Sequence, residues 1–184
     1  MDFRIHAIEP VSRANGPGRR AVIWTQGCSI GCLGCFNVTT HDSKAGQMID
    51  TAILAQQLFT QGESIDGVTL SGGEPTEQPE AVLDLLTRAG AAQLSRMMFS
   101  GRTIEHIRTL ELGPAILKQL DVLIAGPFVQ SAPSSLPLLG SENQKIHILS
   151  DRHTPDEIVQ VPRMEVIIHT DGTRTVTGFV QTIH

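Results

Sequence analysis

The chain has 184 residues, an apolar share of 40% and 17 glycines, which is the make-up of one ordinary globular domain rather than a disordered or collagen-like chain. Its formal net charge of −5 leaves no electrostatic footprint for nucleic acid and nothing to hold it on an anionic membrane surface. No apolar run reaches the ~18 residues of a membrane span, and Met1-Asp2-Phe3-Arg4 lacks the order of a secretory signal, so a cytoplasmic protein is expected.

Periodicity predicts alternating strands and helices. The run Arg20 to Gln26 reads as a short buried strand ending at Gly27. The segment Ile49 to Gln61 has helical spacing at Ile49, Ile53, Leu54 and Leu58, with Asp50 as N-cap and Gly62 after its end. Val68 to Leu70 forms a second strand, stopped by Ser71-Gly72-Gly73. Pro79 suits a first helical position, and Val82, Leu83, Leu85, Leu86 and Ala89 make the apolar stripe of the helix that follows. Met97 to Phe99 is a third strand ending at Ser100-Gly101. Thr103 to Leu110 and Pro114 to Leu120 read as short helices, and Asp121 to Ala125 as a fourth strand. This repetition argues for βαβ units and a mostly parallel sheet, with ligands at the carboxyl ends of its strands. A closed (β/α)8 barrel takes ~250 residues, so an open, partial barrel is expected.

Residues 126 to 143 interrupt the pattern with Pro127, Pro133 and Pro137 among serines and Gly140, as either a lid or a passive surface loop. Lys145 to Leu149 reads as another strand. Glu165 to His169, a turn at Asp171-Gly172, and Thr175 to Phe179 predict a C-terminal β-hairpin.

The three cysteines, Cys28-x3-Cys32-x2-Cys35, sit on the loop after the first strand. An odd, clustered count is not a disulfide framework, and a reducing compartment suits it better. Three thiolates suit zinc or an iron–sulfur cluster. Zinc would need a fourth ligand, for which His41 is nearest, six positions after Cys35. A [4Fe–4S] cluster on three cysteines leaves one iron open to a small-molecule chelator. Spacings of four and three also match one helical face, but Gly27, Gly31 and Gly34 oppose a helix there. The second motif, Ser71-Gly72-Gly73-Glu74-Pro75, falls beside the cysteine loop if the sheet is parallel. Its glycines let the backbone approach a ligand closely.

Together, Cys28-x3-Cys32-x2-Cys35 and Gly72-Gly73-Glu74-Pro75 resemble the radical S-adenosylmethionine superfamily. Asn15-Gly16-Pro17-Gly18, Gly34, Phe36-Asn37, Phe99-Ser100-Gly101, Val122 to Phe128 and Gly140 to Gln144 resemble its glycyl-radical-enzyme activase branch, in particular the activating component of anaerobic ribonucleotide reductase. The resemblance runs from about residue 8 to about residue 149. It implies a single radical S-adenosylmethionine domain over 1–184, with the hairpin region from about 150 as an extension. It implies a [4Fe–4S] cluster on Cys28, Cys32 and Cys35, which carry the electron transfer of catalysis, and an S-adenosylmethionine site lined by Gly34, Phe36, Gly72, Gly73, Glu74 and Ser100. The implied activity is reductive cleavage of S-adenosylmethionine to a 5′-deoxyadenosyl radical, which takes a glycine Cα hydrogen from a glycyl radical protein partner. A low-potential donor such as flavodoxin or ferredoxin would supply the electron. Activases often carry an acidic residue where Ala125 stands here.

Two alternatives differ in testable ways. The same radical chemistry on a peptide or small metabolite would leave a glycyl radical protein unchanged. A non-catalytic metal or electron-transfer module would not consume S-adenosylmethionine. Other residues have plainer readings: His147 and His169 as packing, His106 as solvated, Arg19 and Arg20 as solvated charges beside a strand, and Trp24 as core.

Overall fold

A computed structural model describes residues 1–60 and 64–179. The chain opens with β1 (Asp2–Ser12) and β2 (Arg20–Thr25), then β3 (Gln47–Asp50) and α1 (Thr51–Ala55), which runs on into a π turn over Gln56–Thr60. Next come β4 (Gly67–Gly72), α2 (Pro79–Ala91), β5 (Ser95–Ser100), α3 (Ile104–Thr109), α4 (Gly113–Gln119) and β6 (Val122–Ala125). The chain then adds β7 (Lys145–Ile148), α5 (Pro155–Val159), β8 (Met164–Ile168) and β9 (Arg174–Gly178). No helix among the described residues is long and apolar enough to cross a membrane.

One sheet of seven strands has the order β3-β1-β2-β4-β5-β6-β7. Its central strands β2, β4, β5 and β6 are parallel, as the repeating strand–helix pattern predicts. The flanks are not: β1 pairs antiparallel with both β2 and β3, and β7 pairs antiparallel with β6. The β8–β9 hairpin forms a separate small sheet with the Asp171-Gly172 turn at its tip.

The parallel strands are buried on both faces, so alternate residues enter different cores. Met98 and Leu123 join Ile23, Leu70, Leu85, Leu86, Ile107 and Ile116 in the core under the helices. Met97, Val122 and Ile124 face the other way, against Leu138, Leu139, Ile158 and Val161. The interrupted stretch after β6 is therefore a cover folded over the inner face, not a passive loop. Asp50 caps α1 as expected, its Oδ1 accepting from the Ala52 and Ile53 amides at 2.8 and 3.3 Å. The expected end of that helix at Gln61-Gly62 lies outside the described residues.

Arg20 is not a solvated charge. It is 0% exposed and lies on the inner face near the amino ends of the parallel strands. Its Nε donates to Thr69 Oγ1 at 2.7 Å, Nη1 to the Pro17 carbonyl and Ser95 Oγ at 3.1 Å each, and Nη2 to the Val68 and Ser95 carbonyls at 2.7 and 3.1 Å. Burial pushes its pKa down to about 10, against the pull of Asp121 and Asp66, so it stays charged at neutral pH. Arg20 ties the start of β2 to β4 and β5 beneath the site. Replacing it by methionine strands several buried acceptors, at an expected cost of about 3–5 kcal/mol in a denaturant titration. An unchanged midpoint would show that those acceptors find other partners.

Candidate functional site

The site lies at the carboxyl ends of the parallel strands. β2 ends at Thr25, and the chain turns through Gly27, at φ +101°, into the cysteine loop. Two backbone bonds close the neck of that loop: the Gly27 amide donates to the Thr40 carbonyl at 2.8 Å, and the Cys28 amide to the His41 carbonyl at 3.2 Å. Within it, Gly31 at φ +64° and Gly34 at φ +69° turn the backbone left-handed, which excludes the single helical face that the cysteine spacing also permitted. All three cysteines are free thiols of intermediate exposure.

β4 lies next to β2, and its end brings the second motif alongside. The Gly73 amide donates to the Thr25 carbonyl at 2.9 Å, and the Glu74 amide to the Gly27 carbonyl at 2.8 Å. Glu77, one turn later, accepts from the Ser29 amide at 2.9 Å and from Ser29 Oγ at 2.5 Å, pinning the cysteine loop from below. The two motifs form one braced unit.

A recess with roughly 670 Å³ of empty space, counted out to its open mouth, is lined by Cys28, Cys32, Cys35, Phe36, Gly72, Gly73, Glu74 and Ser100. That set is every expected site residue but one. Gly34 does not line it; the backbone of Gly34 instead packs under the Gln130 side chain, which a Cβ there would meet at 2.5 Å.

Glu74 is 1% exposed, and both its carboxylate oxygens are engaged by the chain's own donors. Oε1 accepts from the Thr76 amide at 3.1 Å, Thr76 Oγ1 at 2.6 Å and Ser100 Oγ at 2.9 Å; Oε2 accepts from Ser100 Oγ at 3.0 Å and the Gly101 amide at 2.8 Å. Burial pushes its pKa up, while these donors hold it back. Glu74 thus ties the end of β4 to the end of β5, and Ser100 serves the same tie. Glutamine keeps the shape but turns an NH2 group toward one of these donors. The expected loss is about 1–3 kcal/mol of stability, measured as a lower thermal midpoint of Glu74→Gln; an unchanged midpoint would contradict the brace.

Burial pushes the Cys28 and Cys35 thiols up as well, with the carboxylates of Glu74 and Glu77 adding to the effect at Cys28. Among the described residues no three His, Cys, Asp or Glu side chains stand at the geometry of a preformed metal site. The thiols share a recess without yet converging, on a glycine-hinged loop, and a bound group would draw them in and displace their protons. The donor set is three cysteine sulfurs beside the backbone of Gly72 and Gly73, which packs tightly on Trp24, Thr25 and Gly27. It fits an iron–sulfur cluster with a small chelating ligand better than a four-ligand zinc site.

Some walls were not assigned to the site from the sequence, although two of them lie in motifs noted there. Phe128 and Gln144 come from the cover after β6, and Phe179 follows β9. Phe36 packs at 4.6 Å from Phe128 and 5.6 Å from Phe179, between ring centroids, and Phe179 lies 6.4 Å from Phe99. Gly140 sits among them, where a Cβ would come within 3.1–3.2 Å of the Phe179, Phe128 and Phe36 rings. The hairpin is anchored beside them: Glu165 Oε2 accepts from Ser12 Oγ at 3.0 Å and the Arg13 amide at 2.7 Å, and Asn15 Nδ2 donates to Thr177 Oγ1 at 2.5 Å. Trp24 is half-buried rather than core and lines an adjoining groove with Phe36, Phe99 and Phe179. His106 is exposed as expected and within 3.2 Å of Arg102 Nη1, while His169 pairs with Thr175 Oγ1 at 2.7 Å.

Comparison with known proteins agrees with this geometry. Residues 14–147 match the model of the 4Fe-4S single cluster domain family. The chain is 31% identical over 144 residues to the anaerobic ribonucleoside-triphosphate reductase-activating protein of Enterobacteria phage T4, covering 76% of this chain and 90% of that protein. It is 32% identical over 151 residues to the protein of the same name from Vibrio cholerae, covering 77% and 96%. Over 87 residues it is 38% identical to the pyruvate formate-lyase-activating enzyme of Clostridium pasteurianum, covering 45% of this chain and 37% of that enzyme. The family match ends before α5 and the hairpin.

Proposed function

Because the chain belongs to the anaerobic ribonucleoside-triphosphate reductase-activating proteins and carries the 4Fe-4S single cluster domain, we propose that it is a radical S-adenosylmethionine enzyme that activates a glycyl radical protein. One observation carries this reading: the cysteine loop and the Gly72-Gly73-Glu74 segment meet in a single recess at the carboxyl edge of the parallel strands. The sheet is then the open, partial barrel of that superfamily, in a single domain over 1–184. A [4Fe–4S] cluster held there would supply the one electron needed for reductive cleavage of S-adenosylmethionine to methionine and a 5′-deoxyadenosyl radical, which would take a Cα hydrogen from a glycine of the partner.

Cys28, Cys32 and Cys35 would hold the cluster, and a donor set of three would leave it open to the chelating end of S-adenosylmethionine. Gly72 and Gly73 let the methionine part lie against bare backbone. Glu74 and Ser100 keep that backbone fixed, and Gly34 gives the cysteine loop the turn it needs. Phe36, with Phe128 and Phe179, keeps water from a reactive radical. Leu33 and Val38 on the same loop are 85% and 63% exposed, apolar side chains open to a partner protein. A low-potential flavodoxin or ferredoxin in the cytoplasm is the fitting electron source.

The test is anaerobic incubation of the cluster-loaded protein with S-adenosylmethionine, reductant and an anaerobic ribonucleoside-triphosphate reductase. A glycyl radical in the reductase, read by electron paramagnetic resonance, is expected. 5′-Deoxyadenosine released while the reductase stays unchanged would transfer the chemistry to a peptide or small metabolite.

A further inference from the structure

Among the described residues, one buried side-chain nitrogen or oxygen lacks a hydrogen-bond partner: His41 Nε2. Buried polar groups in native proteins are paired, so an exception asks for a cause. His41 stands at the neck of the cysteine loop. Its carbonyl accepts from the Cys28 amide at 3.2 Å, and its own amide donates at 3.2 Å to Val38, in the short 3-10 turn that follows Cys35. His41 is among the residues lining the recess that the three thiols share. Nε2 is shut off from solvent, so bulk water does not satisfy it.

Resting on the cluster reading above, we infer that His41 donates an Nε2–H hydrogen bond to a sulfur of the bound iron–sulfur group or of one of its cysteine thiolates. His41 is thus a positioning residue that raises the cluster's reduction potential. Those sulfurs only accept, so the imidazole proton sits on Nε2. A donor at a cluster sulfur favours the more negative, reduced state, and hydrogen bonds to sulfur are among the protein's means of setting such potentials. This role keeps the imidazole off the iron and leaves the fourth iron open.

The test is a redox titration, followed by electron paramagnetic resonance, of cluster-loaded wild type, His41→Phe and His41→Gln. Phenylalanine keeps a ring without a donor; glutamine keeps an N–H at similar reach. The reduction equilibrium should weaken about tenfold in His41→Phe, 59 mV for one electron, and return most of the way in His41→Gln. Equal midpoints in all three overturn the inference. A second measurement needs no variant: pulsed electron paramagnetic resonance of reduced wild type carrying 15N-labelled histidine should show a weak nitrogen coupling. No coupling, or the strong coupling of a directly bound nitrogen, overturns it. Iron and sulfide analysis separates the failures. Wild type without a cluster removes the functional reading and this inference with it, whereas a cluster indifferent to His41 removes this inference alone.

Discussion

Serine in place of Cys28, Cys32 or Cys35 should each abolish the iron–sulfur chromophore and 5′-deoxyadenosine formation while leaving the fold almost untouched. The separation follows from where the thiols sit. All three are partly exposed on a loop that enters neither hydrophobic core. That loop is held by backbone bonds to Thr40 and His41 and by Glu77, none of which uses a sulfur. The metal-free variants should therefore unfold within about 0.5 kcal/mol of the metal-free wild type, the usual range for substitutions outside a core. Loss of sulfide together with unchanged metal-free stability is the expected result. A structural zinc site predicts otherwise: zinc without sulfide in the wild type, and a large gain of stability on metal binding that the variants lose. Thermal unfolding of each variant, with and without anaerobic iron and sulfide loading, distinguishes the two.

Gly73→Ala should be nearly as damaging by a different route. Gly73 is not among the residues with positive φ, so its backbone conformation does not demand glycine. The demand is spatial: a Cβ there would stand 2.2 Å from the Gly27 carbonyl oxygen and 3.1 Å from that of Thr25. Both are backbone atoms, and the Gly27 carbonyl is the acceptor for the Glu74 amide. Relief must move either the second motif or the start of the cysteine loop by an ångström or so. Misplacement on that scale costs about 100-fold in rate when a reaction depends on alignment. Gly31→Ala is the control: its Cβ would meet nothing within 4 Å, although φ is +64°. It should lose about 1–3 kcal/mol of stability through backbone strain and keep most of its turnover. Similar turnover in the two variants would show that the motifs are not mechanically coupled.

What could be read from the sequence follows from what burial does to a strand. β2, β4, β5 and β6 are largely covered on both faces, so each stands out as a short, mostly apolar run, and their parallel order followed from the helices between them. β1 gave no such signal. Phe3 and Ile5 alternate correctly, but a register shift between Ile5 and Ala7 moves the inward positions, and Pro10 interrupts the rest. α5 is only one turn and shows no periodicity, yet Thr154 and Glu157 form a capping box that its sequence displays. The chemistry of the site was legible because cysteine spacing and paired glycines are local. Its remaining walls were not: Phe128 and Phe179 come from distant segments that meet the expected Phe36 only in the fold. Arg20 misled for a related reason, since the acceptors that justify burying it lie on Pro17, Val68, Thr69 and Ser95.

The claim beneath all of this is that three sulfurs of this chain hold an iron–sulfur cube with one iron free for S-adenosylmethionine. Its most direct measurement is an anaerobic single-turnover assay of the reduced, cluster-loaded protein with S-adenosylmethionine and an anaerobic ribonucleoside-triphosphate reductase, whose glycine supplies the hydrogen. Matched amounts of methionine and 5′-deoxyadenosine, formed only when sulfide accompanies iron, are the expected products. S-Adenosylmethionine recovered intact from protein whose cluster is demonstrably present and reduced would contradict the account.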